Sequence, residues 1–555
     1  MQTPSRPVKT WLRATAIFIL LTVVFAIAYA QSPLYTSNQN QYFLHGEAQA
    51  GIGFLKQDWL ANTLDPTPVF SGLAYLTYRF LRLEALFYIF YALLMGVYLF
   101  SLVGIVSTIY EIRKSRARFL AYLALLIVIH SAGWRFAISR VLGVNWAYIL
   151  EDGVADQRLL GPVFEPSTFG VFLLLSIYLF LQRRPYLAVL SATLAATFHP
   201  TYLLSAAVLT VAYIWVTFWE NVRQSPAEAS TPERTATGIE ALAGSTNEFV
   251  SGARIRHRFR AFKEPFLLGL VALVAIAPIL LYVYVNFGHT SPQATARAQD
   301  ILVNFRIPYH AQPSWWFDGT AVVKILFVIA ALYLVRKSRL FTILLICTLA
   351  AAGLTAVQIL LKNNTLALIF PWRISTFIVP LAIAIVFAWL VTTLMERFSN
   401  LVTRYEKLLV AISLVAIAVA VLAGGLRFKL DLDRKAAGDE RAMENYVAAH
   451  HQTGEVYLIP VKLQNFRLAS GSPAYIDFKS IPYQDSDVLE WFRRNKIANR
   501  FYRDGNCGLL QQLSSQEGVT HVVLGSEQFG LQCPQMQPFY TDQHYAVYTL
   551  LPINP

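Results

Sequence analysis

Apolar runs of nearly bilayer-spanning length recur along the first 426 residues and alternate with short polar segments. An α-helix needs about 17 to 25 mostly apolar residues to cross the hydrocarbon core. The runs 168–182 and 186–198 are short, and a re-entrant pair is the alternative there, which leaves the orientation of later spans unchanged. The pattern predicts eleven transmembrane helices, at 14–30, 85–110, 119–139, 168–182, 186–198, 202–219, 265–286, 319–335, 340–360, 374–395 and 408–426.

The pattern changes after residue 426, where the composition becomes that of a soluble domain. DVLEWFRRNKIANRFY (487–502) spaces its apolar side chains as a helix does, and CGLLQQLSSQEG predicts a shorter helix. Alternating or β-branched runs predict strands at 455–460, 475–480, 520–525 and 544–551. Residues 427–555 therefore predict a small α/β domain that covers the membrane surface.

A third kind of segment, 220–264, is polar, rich in Ser, Thr, Ala and Gly, and free of apolar periodicity. It predicts a flexible cytoplasmic loop that divides the spans into groups of six and five. Its basic end, Arg254–Arg260, either contacts anionic lipid headgroups or only marks the cytoplasmic side.

Composition supports the membrane assignment. The chain is 55% hydrophobic and 14% charged, whereas soluble domains carry about 25% charged residues. The net charge of +13 does not indicate a nucleic-acid partner, because most basic residues lie in short loops between spans.

The distribution of Lys and Arg predicts the orientation. With a cytoplasmic N-terminus, the inside segments hold 22 Lys and Arg in 85 residues, and the outside loops before the tail hold 9 in 130. Positive residues favour the cytoplasmic side, so we predict an integral plasma-membrane protein whose domain 427–555 is extracytoplasmic. Ala28-Tyr29-Ala30 has the form of a signal-peptidase site, and cleavage there would still leave residue 31 outside.

Three cysteines occur in the chain. Cys347 lies within a predicted span, and we expect its thiol to pack there without a chemical role. Cys507 and Cys533 fall in the external domain, where an oxidising compartment permits a disulfide. We expect them to pair, with two free thiols as the alternative.

The first external loop, 31–84, carries acids beside the bilayer, where ionisable residues are costly and often functional. Asp65 precedes Pro66 and predicts a turn. Glu47 lies in HGEAQAG, where a solvated helix face is the alternative to a functional role. Asp58 lies in Lys56-Gln57-Asp58-Trp59 and either caps a helix, pairs with Lys56 or takes part in chemistry.

Further polar residues are predicted at the same external face. Glu151, Asp152 and Asp156 form either a carboxylate site or a solvated loop. His199 and His310 either bind a ligand or bond to backbone, since neutral imidazole serves both purposes. Arg306 and Arg373 either hold a phosphate, which guanidinium groups fork onto, or extend to the interface.

The order of parts, together with a few residues, resembles the GT-C class of membrane glycosyltransferases. The residues are Tyr42, Ala48, Gly53 and Asp58 in NQNQYFLHGEAQAGIGFLKQD (38–58), which follows the first span; many spans and an external C-terminal domain come after it. The resemblance extends along nearly the whole chain. It implies an all-α, GT-C-like polytopic fold and sugar transfer from a polyprenyl-phosphate donor on the external face.

The resemblance also implies that a first-loop carboxylate acts as the general base, since an acceptor hydroxyl must lose a proton. Asp58 is our first candidate and Glu47 the second. The candidates for binding the substrate are Arg306, Arg373, His199, His310, Glu151 and Asp152. The sequence departs from the family at 38–41, where Asn38-Gln39-Asn40-Gln41 stands in place of an early acid and cannot act as a base.

The chain is also similar to uncharacterised bacterial, in particular cyanobacterial, membrane proteins that share stretches like HPTYLL (199–204), PWRIS (371–375) and IDFKSIPY (476–483). That likeness implies the bacterial inner membrane and assigns no chemistry. Membrane lipids and a lipid-linked sugar are the expected partners, and a divalent metal is left open as a cofactor. A non-catalytic envelope scaffold and a lipid or polysaccharide transporter are the alternative functions.

Overall fold

A computed structural model of the chain describes residues 7–223, 246–288 and 290–551. Within these residues, seven helices are long and apolar enough to cross a membrane, and Arg116–Ile129 with Ala132–Val141 forms one further candidate span bent by 58°. Shorter apolar helices occupy the remaining predicted runs, at Pro166–Leu181, Pro185–Phe198 and Gly319–Leu334. The chain is thus a mainly helical polytopic membrane protein.

The N-terminal part of the membrane region contains ten α-helices among its described residues. They are α1 Pro7–Tyr29, α2 Gln39–Tyr42, α3 Leu44–Ala50, α4 Pro68–Leu76, α5 Ala85–Ser107, α6 Arg116–Ile129, α7 Ala132–Val141, α8 Val171–Leu181, α9 Pro185–Phe198 and α10 Leu203–Arg223.

Ten more α-helices follow among the described residues before the tail. They are α11 Thr246–Phe287, α12 Pro292–Asp300, α13 Pro308–Ala311, α14 Pro313–Trp316, α15 Gly319–Leu334, α16 Arg339–Leu361, α17 Asn364–Leu368, α18 Ser375–Arg397, α19 Ser399–Arg404 and α20 Glu406–Ala436. Of the predicted flexible loop 220–264, residues 224–245 lie outside the described part, and helix α11 begins inside the loop at Thr246. The basic side chains of Arg254–Arg260 also lie outside the description.

The tail folds as a small α/β domain, as predicted. Its helices are α21 Arg441–His450, α22 Phe466–Ser470, α23 Asp485–Asp504 and α24 Cys507–Glu517, and its strands are β1 Tyr457–Leu458, β2 His521–Gly525, β3 Met536–Thr541 and β4 Tyr545–Leu550. The strand order is β1-β2-β4-β3, with β1 parallel to β2 and the other pairs antiparallel. Cys507 and Cys533 form a disulfide with their Cα atoms 5.4 Å apart.

The prediction of a strand at 475–480 is wrong. Only an isolated bridge joins Tyr457 to Ala474 in this part of the described chain. The reason is local: Asp477 accepts a hydrogen bond from the Ser480 amide at 2.7 Å, which closes a turn instead of extending a ladder. The strand β3 was not predicted, because Pro538 interrupts its pattern; a proline is tolerated there because β3 lies at the edge of the sheet.

Ion pairs join the helix ends that the sequence predicts to be cytoplasmic. Glu220, at the end of α10, lies 2.6 Å from Arg183 and 2.5 Å from Arg339. Arg118, at the start of α6, lies 3.1 Å from Glu396 at the end of α18. Beside the opposite end of α10, the ring centroid of His199 lies 6.0 Å from that of Tyr42, so His199 and the first external loop lie together there.

Candidate functional site

Three short stretches of the chain meet on the face that carries the tail. The rings of His199 and Tyr202, between α9 and α10, have centroids 5.6 Å apart. The guanidinium of Arg373, just before α18, lies 4.9 Å from the centroid of the Tyr202 ring. Tyr42 from the first loop completes the group, with its ring centroid 6.0 Å from that of His199.

Glu165 is a member of this group that the sequence analysis did not identify. It lies just before the turn Pro166–Gly170 that leads into α8. Its Oε1 accepts a hydrogen bond from the Ser167 hydroxyl at 2.6 Å. Burial, Tyr483 and the Glu165 carboxylate together raise the pKa of Tyr42. We call Tyr42, Glu165, His199, Tyr202 and Arg373 the central cluster.

Several polar atoms of the central cluster are buried and have no hydrogen-bond partner among the described residues. They are Glu165 Oε2, His199 Nδ1 and Arg373 Nε. Buried polar groups are nearly always paired, and an unpaired one costs about 1 to 3 kcal/mol. A carboxylate oxygen, an imidazole nitrogen and a guanidinium nitrogen therefore have hydrogen-bonding capacity available to a polar ligand.

The imidazole of His199 is neutral in this setting. Burial, assisted by the positive charge of Arg373, lowers the pKa of His199 well below its usual range. A neutral imidazole has one donor and one acceptor nitrogen. His199 can thus hydrogen-bond to a hydroxyl group without adding positive charge to that of Arg373.

The tail contributes polar side chains next to the central cluster. Gln41 donates a hydrogen bond to the Tyr483 hydroxyl at 3.3 Å. Arg306 donates to the backbone carbonyl of Lys479 at 2.5 Å. Burial and the nearby charge of Arg306 lower the pKa of Lys479, and Glu165 opposes that change. Lys479 therefore lies close enough to interact with the carboxylate of Glu165, and Arg306 lies next to Lys479.

Asp58 lies in a buried network between the first loop and the tail. Its Oδ2 accepts from Arg467 Nε at 2.6 Å and from the Ala474 amide at 2.9 Å. Its Oδ1 accepts from the Leu60 and Ala61 amides at 2.9 and 3.2 Å. Asp58 is fully buried and both of its oxygens are occupied, so these contacts favour a structural role over that of a general base.

The side-chain amides of residues 38–41 also connect separate parts of the chain. Gln39 donates to the Phe164 carbonyl at 3.1 Å, directly before Glu165. Asn40 donates to the side chain of Asn465 in the tail at 2.8 Å. The stretch 38–41 therefore holds the first loop against both the loop that carries Glu165 and the tail.

Glu47 lies on α3 in a second polar group, next to Tyr78 and Tyr35. The hydroxyl of Tyr78 donates to that of Tyr35 at 3.1 Å. Burial raises the pKa of Glu47 to about 8, which a hydrogen bond with Tyr78 partly offsets. Glu47 Oε1 has no partner among the described residues. A cavity of about 330 Å³ lies on the other side of Tyr78, and Arg79 and Arg82 contribute to its lining.

The acids of the loop after α7 are paired with cations from membrane helices. Arg135 lies 3.2 Å from Glu151, and Lys324 lies 2.7 Å from Asp152. Burial raises the pKa of Glu151 to about 7, against the opposing effect of Arg135. Glu151 and Asp152 are therefore ion-pair partners of Arg135 and Lys324, and they anchor the loop on the helical bundle. A transporter would use intramembrane charges such as those of Arg135 and Lys324 to bind its substrate, whereas here they are paired.

His310 bonds to backbone, with 2.6 Å between its Nδ1 and the Ala155 carbonyl oxygen. Burial, with smaller opposing contributions, lowers the pKa of His310 to about 4. Within the described residues, no three His, Cys, Asp or Glu side chains are grouped as metal ligands. The pairing of Glu151 and Asp152 with cations also makes that loop a poor divalent-metal site.

The chain matches one family model and is similar in fold to a solved membrane protein. A domain of unknown function, DUF6798, matches residues 438–498 of the tail. No curated protein matches the chain. Among solved structures, the chain is similar to that of ArnT from Cupriavidus metallidurans bound to undecaprenyl phosphate, with 11% identity, 98% of each chain covered and a TM-score of 0.38.

Proposed function

We propose that the protein is a GT-C-like glycosyltransferase that moves a sugar from a polyprenyl-phosphate donor to an acceptor hydroxyl on the extracytoplasmic face. One observation carries the proposal. Glu165, His199 and Arg373 bring together buried polar atoms that lack partners among the described residues, where the first loop covers the ends of membrane helices. A donor anchored in the bilayer by its lipid would present its phosphate at this depth.

Arg373 is proposed to hold the donor phosphate. When the sugar leaves, the bond between its anomeric carbon and the phosphate oxygen breaks, and the electron pair stays on the phosphate. A guanidinium binds phosphate oxygens in pairs and keeps its charge at any physiological pH. Arg306 and Lys479 add positive charge nearby, which further stabilises the leaving group.

Glu165 is proposed as the general base. The acceptor oxygen forms a bond to the anomeric carbon, and its proton passes to Glu165 Oε2, the oxygen that has no partner among the described residues. Asp58 and Glu47 rank behind it as proposals, because the oxygens of Asp58 accept several bonds and Glu47 lies in the separate polar group with Tyr78 and Tyr35. Tyr42 offers an aromatic face to the apolar side of a sugar ring.

Sugar transfer by the purified full chain tests the proposal, with a panel of polyprenyl-phosphate sugars as donors. We expect transfer by the native chain and a loss of at least about 100-fold in Glu165→Gln, because general-base catalysis contributes on that order. Glu490→Gln is the matched control, since Glu490 lies in an exposed ion pair of the tail. Full activity of Glu165→Gln would contradict the assignment, and a folded native chain without transfer on any donor would favour a non-catalytic scaffold.

A further inference from the structure

A cavity with both polar and apolar lining residues lies outside the central cluster. It has a volume of about 480 Å³, which is in the usual range for small-ligand sites. It is bounded by the segment before α15, the end of α16 and the start of α17. Its lining includes Asn304, Gln312, Ser314, Gln358, Lys362 and Asn364.

Five of the eleven residues that line this cavity carry side-chain amides, and four others, Val303, Pro313, Ile359 and Ala367, are apolar. An amide side chain carries two N–H donors and an acceptor oxygen. Asn363 is a further amide of the lining, and no carboxylate belongs to the lining residues that the structure describes. The amides match a neutral molecule that has many hydroxyl groups, each both a donor and an acceptor, and the ammonium group of Lys362 can donate to such hydroxyls as well.

The amides are held in place by a few bonds that use only part of their capacity. Gln358 is buried and donates one N–H to the Ala311 carbonyl at 2.7 Å, which leaves its carbonyl oxygen for a ligand. Asn304 donates to Asp300 at 2.6 Å and accepts from Gln312. Asn363 uses its oxygen to cap α17, with the Leu366 amide 2.9 Å away. These bonds orient the amides of Asn304, Gln358 and Asn363 within the lining.

The cavity also borders the membrane interface. Leu360 and Leu361, directly before Lys362, are 80% and 67% exposed, and Trp315, directly after Ser314, is 65% exposed. Exposed apolar and aromatic residues at a helix end are typical of the headgroup level of a bilayer. A ligand in the cavity is therefore accessible both from the aqueous side and from the lipid headgroups.

We propose that this amide-lined cavity binds a neutral saccharide, either a free glycan or the headgroup of a glycolipid. The proposal goes beyond the proposed glycosyl transfer and does not depend on it, because it concerns binding at residues outside the central cluster. The segment 303–314 contributes to both regions, since Arg306 donates to the carbonyl of Lys479 while Asn304 and Gln312 line the cavity.

Saccharide binding by the full chain in lipid nanodiscs tests the proposal in two arms. One arm titrates cellobiose, maltose and N,N′-diacetylchitobiose by saturation-transfer NMR, and the other places galactosyl diacylglycerol in the nanodisc and measures its retention by native mass spectrometry. We expect binding in at least one arm and a loss of at least tenfold in affinity or retention in the double variant Asn304→Ala/Asn364→Ala.

Gln512→Ala is the matched control, because Gln512 is an exposed amide on α24 of the tail, away from the cavity. It should bind as the native chain does, and both variants should show the native melting temperature. Binding in the free-sugar arm identifies a soluble glycan as the ligand, and binding in the lipid arm alone identifies a glycolipid headgroup. Absence of binding in both arms, or binding that the double variant retains, would overturn the proposal.

Discussion

Arg467 Nε donates a hydrogen bond to Asp58 Oδ2 at 2.6 Å, across a separation of 409 residues in sequence. The same guanidinium pairs with Asp477, and all three side chains are buried. The first external loop and the tail are therefore joined through a charged network without water contact. Because Asp477 precedes Lys479 and Tyr483 in the chain, the network also fixes the tail segment that approaches the central cluster.

Replacement of Arg467 should destabilise the whole external assembly. Arg467→Met leaves Asp58 and Asp477 buried without their cation, and breaking a buried ion pair in this way costs about 3 to 5 kcal/mol. We expect a lower melting temperature and faster proteolysis of the tail. The control Arg493→Met breaks exposed pairs with Glu490 and Glu517, which should cost about 1 kcal/mol or less. A native melting temperature for Arg467→Met would argue against the role of this network.

The stability of the protein should depend on pH through Glu47. Its pKa in the folded chain is raised to about 8, so the folded state keeps a proton that the unfolded chain loses near pH 4.5. Stability from this group is therefore fully present below about pH 4.5 and is lost as pH rises towards 8. Glu47→Gln cannot ionise, so its melting temperature should exceed that of the native chain by a few degrees at pH 8.5.

Well below pH 4.5, the two melting temperatures should coincide, because Glu47 is then protonated in both the folded and the unfolded state. Glu527→Gln serves as the control, since Glu527 is an exposed acid in the tail. Equal melting temperatures of Glu47→Gln and the native chain at both pH values would show that Glu47 is not held protonated by its surroundings.

Lys324 should matter for folding rather than for transport. Lys324→Met leaves Asp152 without its closest cation, with Arg158 still 3.4 Å away, and we expect a loss of about 2 to 4 kcal/mol. The double variant Lys324→Met/Asp152→Asn removes both charges and should recover part of that loss. Denaturant unfolding in detergent measures both effects, and a double variant no more stable than Lys324→Met would speak against direct pairing.

Much of the architecture could be predicted from the sequence, because apolar run length and helical spacing are local signals. All eleven predicted runs coincide with apolar helices of the described chain, and α23 lies where its periodicity predicted it. The prediction failed at 475–480, where the side chain of Asp477 bonds locally and the neighbouring guanidinium of Arg467 decides the conformation. A pairing between residues ten apart in an irregular segment leaves no periodic trace.

The site was harder to predict because it is formed by distant segments. His199, Arg373 and Tyr42 were each recognised as notable residues, yet nothing in the sequence indicated that their rings and charges would meet. Glu165 is not among the predicted residues because it stands apart from the acids at Glu151, Asp152 and Asp156; its position directly before the predicted span 168–182 is the signal that the sequence offers. For Asp58, the partner Arg467 lies in the tail, so its burial in a network could not be read from the loop alone.

The affinity of the purified full chain for a polyprenyl phosphate tests the central claim most directly. Native mass spectrometry in nanodiscs can compare the native chain with Arg373→Met and with Arg140→Met, a control that removes an exposed arginine at the end of α7. If the central cluster holds the donor phosphate, Arg373→Met should weaken binding at least tenfold and Arg140→Met should leave it within twofold of native. Equal binding by the native chain and Arg373→Met would contradict the claim.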